Sequence, residues 1–161
     1  MQRQRWILLA EDNASDADLT LRALGLPEGA GGVVVATDGS EALDCLYRRG
    51  AFAARETPNP AGVLLDLKMP KVDGFEVLRQ IRAEPELRCI PVVVFTSSSQ
   101  ESDILRSYQL GANAYLVKPV EFQQFAAVLK AFKTFWLDAN EAPPASAASP
   151  RRSPASLVTA A

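Results

Sequence analysis

Gly62-Val63-Leu64-Leu65-Asp66-Leu67-Lys68-Met69-Pro70 is the stretch from which the fold can be read. Val63 to Leu65 form an apolar run with no polar alternation, the pattern of a strand covered on both faces, as in the parallel sheets of α/β proteins. The run ends on a lone carboxylate, Asp66, and then enters turn chemistry from Lys68 to Gly74. The same arrangement recurs along the chain. Trp6 to Ala10 leads into Glu11-Asp12, Val92 to Phe95 into Thr96, and Tyr115 to Val117 into Lys118-Pro119. Polar groups would therefore collect at one edge of a sheet, at the carboxyl ends of its strands, where open α/β sheets bind ligands.

Helical patterns fill the intervals. After the strand at 6–10, Asn13 or Ser15 can cap a helix carrying Ala14, Ala17, Leu21 and Leu24, which stops near Gly25 and Pro27. Val33 to Thr37 reads as a strand. A helix follows from Ser40 through Ala42, Leu43, Leu46 and Tyr47 to Gly50, then a loop over 51–61 holding Pro58 and Pro60. Phe75, Leu78 and Ile81 mark a third helix ended by Pro85, Ile104, Leu105, Tyr108 and Leu110 a fourth over 101–110 ended by Gly111, and 121–137 a fifth. Five alternating strand-helix units predict a doubly wound, five-stranded parallel sheet with helices on both faces, without fixing the strand order. From Asp138 the composition turns to Ala, Pro and Ser, so the expected division is a domain over 1–137 and a disordered tail over 138–161.

Composition narrows the function. The 161 residues suit one domain with a full core. A net charge of −2 gives no electrostatic footprint for DNA or RNA. No window approaches the ~18 apolar residues of a membrane span, and the short run before Glu11 is no signal peptide, so the expected setting is cytoplasmic. Cys45 and Cys89 have no CxxC spacing and no histidine beside them, which leaves them as structural thiols. With 0 histidines, the chain has no phosphohistidine donor of its own.

Glu11, Asp12 and Asp66 would bring three carboxylates to adjacent strand ends. Two like charges at ~4 Å repel by about 4 kcal/mol at an effective dielectric near 20, so the group calls for a cation. Oxygen ligands without sulfur or imidazole select Mg²⁺, with Mn²⁺ as the alternative. Asp66 is then the nucleophile, since carboxylates form acyl phosphates. Lys118 supplies an ammonium and Thr96 a hydrogen bond to the transferring phosphoryl group; Glu11 and Asp12 hold the metal, and the Lys68 backbone carbonyl completes its shell. Singly, each residue has a plainer reading as a cap, a loop or a core side chain. Their joint order carries the argument.

These stretches, together with Asp73-Gly74 and Gly111 to Pro119, resemble the receiver domain of bacterial two-component response regulators over residues 5–137. The resemblance implies the flavodoxin-like strand order 2-1-3-4-5, and a sensor histidine kinase that phosphorylates Asp66 with Mg²⁺ bound by Glu11 and Asp12. It also implies a switch in which Thr96 and Tyr115 move together and alter the face formed by the fourth helix, fifth strand and fifth helix, and a cis peptide before Pro119. The loop with Pro58 and Pro60, Pro85 to Pro91, Ser97 to Ser102 and Phe132 to Trp136 are similar to single-domain regulators that partner phytochrome kinases, which implies a bacteriophytochrome as the kinase. Output would then run through protein contacts, not DNA.

The apolar stripe Phe122, Phe125, Leu129, Phe132 and Trp136, widened by Val128 and Phe135, is broader than a helix packed on one sheet face needs. It suggests either a generous core helix or a homodimer with Phe132, Phe135 and Trp136 at the interface. Two other functions compete with a phosphoacceptor. A Mg²⁺-dependent phosphohydrolase would want a second Asp two residues after the nucleophile, where this chain has Lys68. A degenerate receiver serving only as a docking module would have no need of the intact acidic group, Thr96 and Lys118.

Overall fold

The computed structural model describes residues 5–144. Five strands, β1 (Ile7–Ala10), β2 (Val33–Ala36), β3 (Gly62–Leu65), β4 (Val92–Thr96) and β5 (Ala114–Val117), form one sheet in the order β2-β1-β3-β4-β5. Every pairing is parallel. The helices are α1 (Ala14–Leu24), α2 (Gly39–Tyr47), α3 (Gly74–Ala83), α4 (Glu101–Gln109) and α5 (Phe122–Lys133). A doubly wound sheet was expected, and strand order 2-1-3-4-5 is the flavodoxin-like arrangement.

Strand periodicity divides the core in two. Leu8, Ala10, Val63, Leu65 and Val92 face α2 and α3, packing on Leu43, Leu46, Val77, Leu78 and Ile81. Ile7, Leu9, Leu64, Val93 and Phe95 point to the other side, against Ala17 and Leu24 of α1 and Phe125, Leu129 and Phe132 of α5. This explains the lack of alternation in the sequence: successive side chains go to opposite faces, and both faces are dry.

Local chemistry sets where each helix begins. Asn13, Asp38 and Asp73 accept hydrogen bonds from the N–H groups of Asp16, Glu41 and Glu76, satisfying the first turns of α1, α2 and α3. The cap of α2 is thus Asp38, two residues before Ser40. Gly25 closes α1 in the left-handed conformation (φ 61°).

The fifth helix departs from the expected 121–137. After Lys133 it widens into a π-helical turn, Thr134–Ala139. That turn adds a residue to the period, so Leu137 is buried while Trp136 is only partly covered. Order continues past 137: Arg5 donates to the carbonyls of Leu137 (2.6 Å) and Asn140 (3.0 Å), and Ala142 packs against the core. Residues 145–161 of the expected tail lie outside the described residues. Among the described residues, no helix is long and apolar enough to cross a membrane.

Candidate functional site

The carboxyl ends of β1, β3, β4 and β5 bring the expected residues to one place. Glu11 and Asp12 follow β1 directly, Asp66 follows β3, Thr96 closes β4 and Lys118 follows β5. The register fixes these positions through backbone bonds: Asp66 N–H donates to the Ala10 carbonyl (3.0 Å), and Lys118 N–H to that of Thr96 (2.7 Å). Gly74, at the start of α3, lies so close to the Asp66 carbonyl and Leu67 Cα that no Cβ fits there. Its side-chain-free surface lets α3 approach the loop that carries Asp66.

Carboxylate oxygens of Glu11, Asp12 and Asp66 all lie within 4.8 Å of one another. Glu11 is 2% exposed and Asp66 8%, while Asp12 is exposed. Lys118 Nζ sits among the acids, donating to Glu11 Oε2 (2.5 Å), Asp16 Oδ2 (2.9 Å) and Asp66 Oδ2 (3.0 Å). Burial pushes the Glu11 carboxyl up to about 7, aided by the charge of Asp66 and opposed by the Lys118 hydrogen bond. Burial works against the Lys118 ammonium, but the hydrogen bonds to Glu11 and Asp16 and the charges of Asp66 and Glu11 outweigh it, raising its pKa above the ordinary lysine value. One ammonium thus serves three carboxylates, Glu11, Asp16 and Asp66. The donor set fits a hard divalent cation: three carboxylates, each offering an oxygen ligand, with no sulfur or imidazole among them.

Beside Asp66 a pocket of about 360 Å³ opens, lined by Lys68, Thr96 and the run Ser97 to Gln100. The β4–α4 loop is tied down from two sides. Tyr115 donates its hydroxyl to the Ser98 carbonyl (2.9 Å), and Ser98 Oγ donates to Asp103 Oδ2 (2.6 Å). The aromatic expected to act in the switch therefore holds the loop that walls the pocket. Lys68 N–H lies a long 3.4 Å from Asp66 Oδ1.

A family model described as the response regulator receiver domain matches residues 7–130. The chain belongs to this family. Receivers are signalling domains that bind Mg²⁺ or Mn²⁺ at an acidic pocket and work with histidine kinases. Among curated proteins, the chain is 42% identical over 137 residues to the probable methanogenesis regulatory protein FilR2 of Methanothrix harundinacea, covering 85% of this chain and 86% of that one. Among solved structures, the bacteriophytochrome response regulator RtBRR is 53% identical, with a TM-score of 0.68 over 88% of this chain and 86% of the other. The phosphorylated cyanobacterial phytochrome response regulator RcpA is 38% identical, with a TM-score of 0.80 over 88% and 99%.

Two expectations for the receiver's residues need correction. The peptide before Pro119 is trans, as are all described peptide bonds. Trans is the lower-energy isomer even for X-Pro, by about 0.5–1 kcal/mol, and here Lys118 reaches the acids without the cis form. Phe132 is no interface residue, because it is buried between α5 and the sheet. Trp136 is partly packed on the same core, meeting Phe135 edge-on at 4.8 Å, so of the three only Phe135 is well exposed.

Asp16 also belongs to the site, hydrogen-bonded to Lys118 at 2.9 Å, and its sequence context does not mark it. An acid in the first turn of a helix is sufficiently explained by the helix dipole, and nothing in the spacing announces that it reaches a lysine 102 positions away.

Proposed function

We propose that this receiver accepts a phosphoryl group on Asp66 from a sensor histidine kinase, and that the kinase is a bacteriophytochrome. The observation that carries the first part is the Lys118 ammonium lodged between the Glu11 and Asp66 carboxylates beside an open pocket. The likeness to RtBRR and RcpA supports the second.

In the transfer, an Asp66 carboxylate oxygen attacks phosphorus while the bond from phosphorus to the donor histidine nitrogen breaks, its electron pair leaving with the imidazole. Glu11, Asp12, Asp66 and the Lys68 backbone carbonyl would hold Mg²⁺, or Mn²⁺ in its place, whose charge offsets that of the phosphoryl oxygens when bound. Lys118 is positioned to take one of those oxygens in a charge-assisted hydrogen bond, and the Thr96 hydroxyl another. Pulling Thr96 toward the phosphoryl group would disturb the loop that Tyr115 holds through Ser98, and so bias the packing of α4, β5 and α5. Lys68 at the position where a phosphohydrolase carries its acid argues against sustained turnover, leaving self-phosphorylation from small donors and slow self-dephosphorylation.

Output through protein contacts is supported by the exposed apolar side chains Leu105 and Tyr108 on α4, Val117 on β5, and Val120 and Phe122 leading into α5. We assign this side of the molecule, with Phe135 beyond it, to a homodimer contact in a cytoplasmic protein that binds no nucleic acid directly. Sedimentation that shows only monomer at high micromolar concentration, with and without phosphorylation, would remove the dimer.

Intact-mass analysis after incubation with acetyl phosphate, with and without Mg²⁺, tests the chemistry. One Mg²⁺-dependent phosphate per chain, absent in Asp66→Asn, is the expected result; no modification from any donor would leave a docking module. Phosphotransfer from a bacteriophytochrome kinase no faster than from unrelated histidine kinases would discard that partner, an outcome to which the likeness to FilR2 gives weight.

A further inference from the structure

Lys118 has three N–H donors and spends them on three carboxylates. Two of these, Glu11 and Asp66, belong to the acidic triad that can hold a metal; the third, Asp16, does not. We infer that Asp16 is a positioning residue for phosphoryl transfer: it keeps the Lys118 ammonium beside Asp66 once the other two carboxylates are engaged elsewhere. The inference rests on the phosphoacceptor reading above.

The backbone of Asp16 is fixed at both ends. Its N–H is capped by Asn13 Oδ1 (2.9 Å), and its carbonyl accepts from the Thr20 hydroxyl (2.7 Å). Its carboxylate, 31% exposed, reaches from the first turn of α1 across to a lysine side chain that is 6% exposed. When Glu11, Asp12 and Asp66 share a divalent cation, that charge draws on two of the three lysine acceptors and repels the ammonium itself. Among the described residues, Asp16 is the lysine's one hydrogen-bond partner outside the triad. When Asp66 is phosphorylated, its bonded oxygen ceases to be a carboxylate oxygen, and Lys118 turns to the new phosphoryl oxygens. Through both stages Asp16 marks the place from which the ammonium works.

The experiment uses the full chain at saturating Mg²⁺ with acetyl phosphate, where Asp66 attacks phosphorus and acetate leaves with the electrons of the broken P–O bond. Asp16→Ala should slow the appearance of phosphorylated protein about tenfold, the loss of one hydrogen bond to a charged group, and Asp16→Glu should restore part of it. In a Lys118→Met background, followed over a longer time course, Asp16→Ala should add less than about a twofold change, because residues that act through one another are not additive. The ¹⁵N signal of the Lys118 ammonium should persist on adding Mg²⁺ to wild type and broaden away in Asp16→Ala, while calorimetric Mg²⁺ binding survives. An unchanged rate in Asp16→Ala, or the same slowing with and without Lys118, would overturn the positioning role. Failure of wild type itself to become phosphorylated would overturn the phosphoacceptor reading and this inference with it, a result distinct from either.

Discussion

The inner strands β1, β3 and β4 and the edge strand β5 deliver polar residues to the same side of the sheet, yet their surroundings differ. Every residue of the inner three is buried, whereas β5 is half-buried and ends exposed at Val117. Interiors are close-packed and give little, so Glu11, Asp66 and Thr96 stand on a frame that holds the proposed phosphoacceptor geometry. β5 has a neighbour on one side only. It carries Tyr115 and leads into Lys118, the two side chains that link the pocket to the outer face. In the proposed function, chemistry that needs fixed distances sits on the dry centre of the sheet, and the part that would change its packing sits at the margin.

Truncation in the two places should separate them most widely. Leu64→Ala, in fully buried β3, should cost about 4 kcal/mol of unfolding free energy, in the upper range for a cavity with no room to collapse. Leu116→Ala, in β5, should cost about half as much, since its side chain is only partly covered. Chemical denaturation measures both, and equal losses would erase the distinction between centre and margin. Gly74→Ala, where α3 presses on the Asp66 loop, should cost about 3 kcal/mol because backbone atoms must move to admit the methyl group. It should also slow phosphorylation of Asp66; a stable variant with the wild-type rate would show the contact to be slack.

How far the sequence reveals this depends on the kind of information. The inner strands are legible because burial on both faces removes alternation, and the acids at their ends because each interrupts an apolar run. Strand order is not contained in spacing; it came with the resemblance. The end of α5 is not legible, because a 3.6-residue period puts Trp136 inward, while the π-helical turn slips the count and buries Leu137 in its place. Lys71 adopts the left-handed backbone conformation (φ 64°) with Asp38 as its ion-pair partner, at 3.3 Å. Turn residues around it predict a bend, but no local signal selects a lysine for that geometry. Asp16 belongs to the same class, a residue whose local role is sufficient to conceal its long-range one.

The thiols give a smaller contrast, between a buried and an exposed position. Burial raises the Cys45 pKa from 9.0 to about 11, with the nearby Arg55 charge opposing it. A folded-state value above the unfolded one means the native state holds its proton longer. The associated stability is complete below about pH 9 and is lost as pH rises through about 11, a change on the order of 2–3 kcal/mol. Cys45→Ala should flatten that part of the stability profile in alkaline denaturant titrations. Cys89 is exposed, so in native protein at pH 8 a thiol reagent should label it at once and reach Cys45 only on unfolding; prompt labelling of both would show that this side of the core opens readily.

At the far margin the effect on stability should nearly vanish. Val120 is fully exposed and Leu105 is 59% exposed, so truncating them removes little buried apolar area from the isolated chain. Val120→Ser with Leu105→Ser should stay within about 0.5 kcal/mol of wild type, the usual range for surface substitutions. The same pair should weaken self-association severalfold by sedimentation if α4, β5 and α5 meet a second copy, since an apolar patch wet in the monomer is dry in the dimer. Phosphorylation of Asp66 by acetyl phosphate should proceed at the wild-type rate, because neither side chain lines the pocket. A variant that lost phosphorylation along with association would show that the margin feeds back on the centre, and the division of labour between inner strands and edge would have to be given up.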